Sequence, residues 1–292
     1  YDEEKVPEEF SAFRIEVKGL NGGHSGMQIH EGLGNANKII NRLLYSVINE
    51  IHLSEIDGGG LRNAIPRESV ALIVSNCAND RLIRANILEE VKNIKSELKT
   101  TEPNLDITIG SADCPNTMLG KDLSINLIKV IYATHNGVFR MSPDIIGLVE
   151  TSNNVARVSV KDKVIKILCL TRSSVESSKM DLANKLKATF ELIGGDVEFS
   201  GNYPGWTPNM ESSILKVMRS LYIKLHNEEP HVAACHAGLE CGILGTNYPN
   251  MEMISFGPNI KGAHSPDERA QISSVEKYWK FVLEILKTIP KS

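Results

Sequence analysis

The sequence contains no run of 18 apolar residues, so no stretch of it is long enough and apolar enough to cross a bilayer as a helix. It has no basic excess either. Its 32 lysines and arginines face 36 aspartates and glutamates, a formal net charge of -4, and such a balance argues against a nucleic-acid partner. Cysteine is scarce: Cys77, Cys114, Cys169, Cys235 and Cys241 are five in number and include no C-x-x-C pair. In a chain of 292 residues this reads as free thiols in a reducing, cytoplasmic compartment rather than a disulfide framework. Several catalytic signatures are missing as well. There is no G-x-S-x-G elbow, no H-E-x-x-H, no P-loop and no G-x-G-x-x-G after a strand. The opening residues, Tyr1-Asp-Glu-Glu-Lys-Val-Pro-Glu-Glu9, have no initiator Met, no basic region and no apolar core, so they are not a signal peptide. They read as a linker, and we expect that a segment which would precede it is absent from this chain.

What is present is ordinary globular composition, 41% hydrophobic and 23% charged, enough for one large domain or two smaller ones. Residues 12–18 alternate apolar and polar, the pattern of a half-buried strand. A Gly-rich turn, Asn21 to Gly26, follows, and Gly34 to Ile48 then carries apolar residues at helical spacing. Strands fit 51–57, 69–75 and 105–109, with a helix from Asp80, a candidate N-cap, to Leu98. A similar order follows: a helix over 121–134, strands over 145–150, 155–160 and 163–170, a helix over 178–193 and a strand over 196–200. Aligning Asn63 with Asn154 gives an offset of about 90 residues, read as two related β-α-β-β-α-β units. Any alternating α+β domain can look periodic, so the alternative stands beside it. Composition breaks at Gly201-Asn-Tyr-Pro-Gly-Trp-Thr-Pro208. Beyond it lie a helix over 211–226, a Gly-rich segment near Gly238, an apolar run from Met251 to Phe256, a His-bearing loop and a final helix over 273–288. That order suits the edge of an α/β sheet, where sites gather at strand C-terminal ends.

Among the eight histidines, His30, His52, His135 and His226 read as surface or structural residues. His264 lies in the Gly- and Pro-bounded loop Gly257 to Glu268, near acidic residues. It is either a zinc ligand or a surface histidine. His24, in Gly22-Gly-His-Ser-Gly26, has glycines that let backbone approach a ligand; an oxyanion or substrate contact competes there with a simple turn. His236 and Glu240 share the stretch His-Ala-Gly-Leu-Glu-Cys-Gly, in which Glu240 could meet a substrate amine or simply be solvated. Arg172 follows an apolar strand and could grip a carboxylate in bidentate fashion. Asn63, between Gly60 and Pro66, is framed to offer a side-chain amide. A hydrolytic zinc site needs at least three protein ligands, and only His264 is a credible one, so these residues read as one side of a site.

The run Lys18 to Lys38, containing Gly22-Gly-His-Ser-Gly26, resembles bacterial aminoacyl-histidine dipeptidases, the Xaa-His or carnosinase-like zinc metallopeptidases. So do Leu61-Arg-Asn-Ala-Ile-Pro-Arg-Glu68, Asn136-Gly-Val, Val149-Glu-Thr-Ser-Asn153, Thr171-Arg-Ser-Ser174, Tyr203-Pro-Gly-Trp206, His236-Ala-Gly-Leu-Glu-Cys-Gly242 and His264-Ser-Pro-Asp-Glu268. The likeness runs from about Phe10 to Pro290 in the family's order.

The resemblance implies an α+β and α/β architecture: residues 1–9 a linker, 10–200 an inserted, substrate-capping lid of the two related units, and 201–292 the C-terminal part of a catalytic domain. It implies two zinc ions in the intact enzyme, with His264 as a ligand. It makes His24 the group that polarises the scissile carbonyl, and Asn63, Arg172 and Glu240 substrate contacts. The family's remaining metal ligands and its glutamate base have no counterpart here, so this chain alone is expected to be inactive. The implied substrates are dipeptides of the β-alanyl-histidine type, and a homodimer is a further possible partner. Two other readings remain: a non-catalytic peptide-binding or dimerisation module, and a related hydrolase of N-acyl amino acids.

Overall fold

The computed structural model describes residues 1–234, 236, 240–261 and 268–288. These fall into two compact units, one running from Tyr1 to Gly205 and including His236, the other made of Trp206–Ala234 and the described residues from Glu240 onward.

The first unit is built on an antiparallel sheet of seven strands. Its elements are β1 (Glu3–Lys5), β2 (Phe10–Lys18), β3 (Gly23–His24), α1 (Ala36–Tyr45), β4 (His52–Gly59), β5 (Ala64–Ile65), β6 (Ser69–Asn76) and α2 (Asp80–Leu98). They continue with β7 (Asp106–Ala112), β8 (Thr117–Leu119), α3 (Lys121–Ala133), β9 (Gly137–Met141), β10 (Val149–Lys161), β11 (Val164–Ser173) and α4 (Glu176–Glu191). The strand order is β11-β10-β4-β6-β2-β7, with β9 also pairing β10. Two small ribbons, β1–β8 and β3–β5, lie outside that sheet.

The alternation read in 12–18 decides which face of β2 is buried. Phe13, Ile15 and Val17 point into the core while Arg14 and Lys18 stay exposed. Against that face pack Ile40, Leu43 and Leu44 of α1, Ile83 and Ile87 of α2, and Leu127 and Ile128 of α3, all fully buried. Apolar residues on one stripe of each helix meet the apolar face of the sheet, and this layer supplies most of the burial. Helix α1 begins at a well-formed cap: the Asn35 side chain accepts from the backbone N–H groups of Asn37 (3.0 Å) and Lys38 (3.2 Å). Lys38 in turn donates to the carbonyls of Ile131, Tyr132 and Thr134, tying α1 to the end of α3.

Several expectations change. Asp80 is not the cap of α2 but its first residue, and its carboxylate accepts from the Ser11 hydroxyl. Residues 145–150 and 155–160 are not two strands; one long strand, β10, replaces them, with a bulge at Ala156. Residues 196–200 form no strand, and neither do 251–256. An alternating or apolar run becomes a strand only when a ladder partner receives its N–H and C=O groups, and neither segment has one among the described residues. The order β2-α1-β4-β6-α2-β7 reads β-α-β-β-α-β, whereas the later stretch lacks its closing strand and has β9 interposed. Asn63 and Asn154 also do not correspond: Asn63 sits between β4 and β6, Asn154 in the middle of β10.

The second unit contains α5 (Ser213–His226), α6 (Glu240–Asn247), β12 (Ile260–Lys261), β13 (Arg269–Ala270) and α7 (Ile272–Thr288). Phe281 of α7 packs edge-on against Tyr222 of α5, ring centroids 5.4 Å apart, and against Phe256 at 5.6 Å. The Glu252 carboxylate accepts from the backbone N–H groups of Ser213 and Ile214, capping α5.

Candidate active site

The connection between β2 and α1 carries His24, and one buried acid holds it at both ends. Glu102, 2% exposed, accepts from the backbone N–H of Asn21 at 2.7 Å and of Gly34 at 2.8 Å. Such charge-assisted bonds are about twice as strong as neutral ones and close the loop on a rigid base. Gly22 turns the chain with φ +65, and a side chain there would strike Arg67. The next two residues form β3, pairing Gly23 with Ile65 and His24 with Ala64 of β5.

The His24 ring is oriented by its own turn. Its Nδ1 accepts from the backbone N–H of Gly26 at 3.2 Å and of Met27 at 3.1 Å. Two donors aimed at Nδ1 put the ring proton on Nε2, so the imidazole presents an N–H donor on its other side. Gly26 lies between this ring and Arg172: a methyl at Gly26 would sit 3.1 Å from His24 Cε1 and 3.3 Å from Arg172 Nε. Any side chain there would press on both groups.

Asn63 is half-buried, and its carbonyl accepts from the backbone N–H of Ser25 at 2.8 Å. The loop bearing Asn63 and the turn bearing His24 are therefore joined through both a two-residue ribbon and this bond. Arg172 sits on β11 directly opposite Ser152 of β10, so both side chains rise from the same face of the ladder. The Ser152 hydroxyl is within 2.7 Å of His236 Nε2. Burial first, and then the positive charge of Arg172, push His236 down to about 4. His236 is thus neutral at physiological pH and can hydrogen-bond without adding charge.

The structure brings His24, Asn63 and Arg172 together within the first unit and adds His236 and Ser152 to them. The sequence singled out His236 by its glycine-rich neighbourhood but indicated no role, because its partner Ser152 is 84 residues away. Ser152 stood only inside a longer motif. Glu240 is the first residue of α6 in the second unit and is exposed. His264 lies outside the described residues. Among the described residues no three His, Cys, Asp or Glu side chains are grouped so as to hold a metal ion. The described residues do not by themselves make up a zinc site. What they fit is an anion with a neighbouring carbonyl: a guanidinium for a carboxylate, and the His24 N–H for an oxygen that gains charge.

Comparison with known proteins places this fold and site in one family. The model for peptidase family M20/M25/M40 matches residues 13–288, and the chain belongs to that family. It is 41% identical over 291 residues to the cytosol non-specific dipeptidase of Escherichia coli (strain K12), covering 99% of this chain and 60% of that protein. The crystal structure of aminoacylhistidine dipeptidase from Vibrio alginolyticus superposes with a TM-score of 0.88 at 36% identity, over 100% of this chain and 60% of that one. The chain thus spans about 60% of the length of these relatives.

Proposed function

We propose that this chain belongs to a dipeptide hydrolase and provides the groups that hold the dipeptide and polarise its scissile bond. The observation that carries this is the meeting at Gly26, where a methyl would touch both the His24 ring (Cε1, 3.1 Å) and the Arg172 guanidinium (Nε, 3.3 Å). A dipeptide offers a terminal carboxylate only a few bonds from its single peptide carbonyl, and that spacing suits the pair. Arg172 grips the carboxylate, and the Asn63 amide bonds the peptide backbone. His24 Nε2–H donates to the carbonyl oxygen and strengthens its hold as negative charge develops there. Glu240 is assigned to the substrate amine by the family resemblance alone. Substrates of the aminoacyl-histidine type are those in the name of the Vibrio relative, cytoplasmic placement is that in the name of the Escherichia coli one, and β-alanyl-histidine is the substrate the family resemblance implies.

Residues 10–200 act in this reading as a lid, and 201–292 as part of the catalytic domain. Zinc, as two ions with His264 among their ligands, is the cofactor assigned by the family resemblance, and a homodimer is the assembly. The test is titration calorimetry and hydrolysis of β-alanyl-histidine, with zinc supplied, for the intact enzyme and for its His24→Ala variant. Loss of one oxyanion donor lowers kcat by roughly 10²–10³-fold while leaving dipeptide affinity nearly unchanged. Wild-type turnover by H24A, or selective binding of N-acyl amino acids lacking a free amine, would overturn the assignment.

A further inference from the structure

Strand β10 contains a run of fully buried polar residues, Thr151, Ser152, Asn153 and Asn154, an unusual composition for the inside of a sheet. Ser152 is accounted for by His236. Asn154 is not, and its bonds lead to the loop that carries Asn63. Its side-chain Nδ2 donates to the carbonyl of Arg62 at 3.2 Å and of Ala64 at 2.8 Å. Those are the two carbonyls that flank Asn63. Its Oδ1 accepts from Asn35 Nδ2 at 3.2 Å. Asn35 is also the cap of α1, and its Nδ2 reaches Asn136 Oδ1 (2.9 Å) and the Val155 carbonyl (3.1 Å) as well. Asn136 Oδ1 closes the set by accepting from the Val155 backbone N–H at 2.9 Å.

The orientation of the Asn154 amide is dictated rather than chosen. Two carbonyl oxygens face one end of it, and only an NH₂ group can meet both; an N–H donor faces the other end. We infer that Asn154 is a positioning residue for the proposed reaction: it clamps the loop 61–66 to strand β10 and so sets both Asn63 and His24. The route to His24 is short. Ala64, held by Asn154, pairs with His24 in the β3–β5 ribbon, and Asn63, bracketed by Asn154, receives the Ser25 N–H. Asn35 connects the same clamp to the start of α1, so helix, sheet and site loop share one buried junction. The functional reading of this role rests on the dipeptide reading above; the geometric part does not.

Asn154→Asp tests it, because the side chain keeps its shape but turns an acceptor toward two carbonyl oxygens. Two readouts separate the claims. The first is the ¹⁵N signal pair of the His24 ring in the full chain, which reports Nδ1 as acceptor and Nε2 as the protonated nitrogen. We expect N154D to lose that defined tautomer and shift toward a mixture, with the circular dichroism of the fold retained. The second is β-alanyl-histidine binding by calorimetry, expected to weaken about tenfold, with kcat falling further than binding where turnover is measured. If N154D keeps the wild-type His24 signals, the positioning role is refuted whatever the substrate. If the signals change but neither protein recognises a dipeptide, the positioning role stands and the dipeptide reading fails. Should N154D not fold, hydrogen exchange of the Asn154 side-chain amide in the unaltered protein decides the question. Protection close to that of the core β-ladders is expected, and exchange at the rate of an exposed amide overturns the inference.

Discussion

His236 offers the sharpest quantitative test of the site as an electrostatic unit. It is 4% exposed, bonded to the Ser152 hydroxyl, and pushed down to about 4 by burial first and then by the charge of Arg172. A histidine in the unfolded chain titrates near 6.5. Between those two values the unfolded chain binds a proton that the folded chain refuses, so stability rises with pH there. Its contribution is complete above about pH 6.5 and is lost as pH falls, levelling off once the folded histidine itself protonates near 4. At 1.36 kcal/mol for each pH unit of separation, the loss is roughly 3 kcal/mol across that window. The assay is urea denaturation at pH 7, 6, 5 and 4 for the wild type and for His236→Gln, whose amide can still bond Ser152 but does not titrate. The variant's curve should lie flatter by that amount. A direct titration of the His236 ring protons by NMR should show a folded value well below 6. Parallel curves for the two proteins, or a ring that titrates near 6.5, would refute the argument that burial and the neighbouring Arg172 hold this histidine neutral.

Two further outcomes follow from the same geometry. Arg172→Lys keeps the charge but replaces a planar fork with a single ammonium, so dipeptide affinity measured by calorimetry should fall about tenfold or more, while an unchanged affinity would remove Arg172 from carboxylate binding. Glu102→Gln turns one of two acceptors into a donor facing a backbone N–H; thermal unfolding should report a loss of roughly 2 kcal/mol, and no loss would mean that the 21–34 loop is anchored elsewhere.

Much of the framework was legible from residue order, because it depends on local patterns. The alternation of Phe13, Ile15 and Val17, and the 3.6-residue spacing of Ile40, Leu43 and Leu44, follow from backbone geometry, and elements appear where those patterns lie. The misses share a cause. Residues 196–200 and 251–256 have strand-like composition, but strand formation needs a partner, and partners are distributed along the chain without a local signature. The fused strand β10 was split in two on paper because its middle is polar, Thr151 to Asn154. Those residues are tolerated inside a sheet only because Ser173, His236, Thr171 and the carbonyls of His135, Arg62 and Ala64 meet them there.

The site divides along the same line. By itself the sequence determined the chemical types available: an imidazole between glycines at His24, a guanidinium at the end of an apolar strand at Arg172, an amide in a turn at Asn63. It also determined the family, since ordered motifs are a property of sequence. Only the tertiary structure decided that these three belong to one place, that His24 carries its proton on Nε2, and that His236 stands neutral beside Arg172. Tautomer and charge depend on which groups lie within a few ångströms, and those neighbours come from strands and turns tens of residues apart. A donor's identity is written in the chain, but its direction is set by what packs around it.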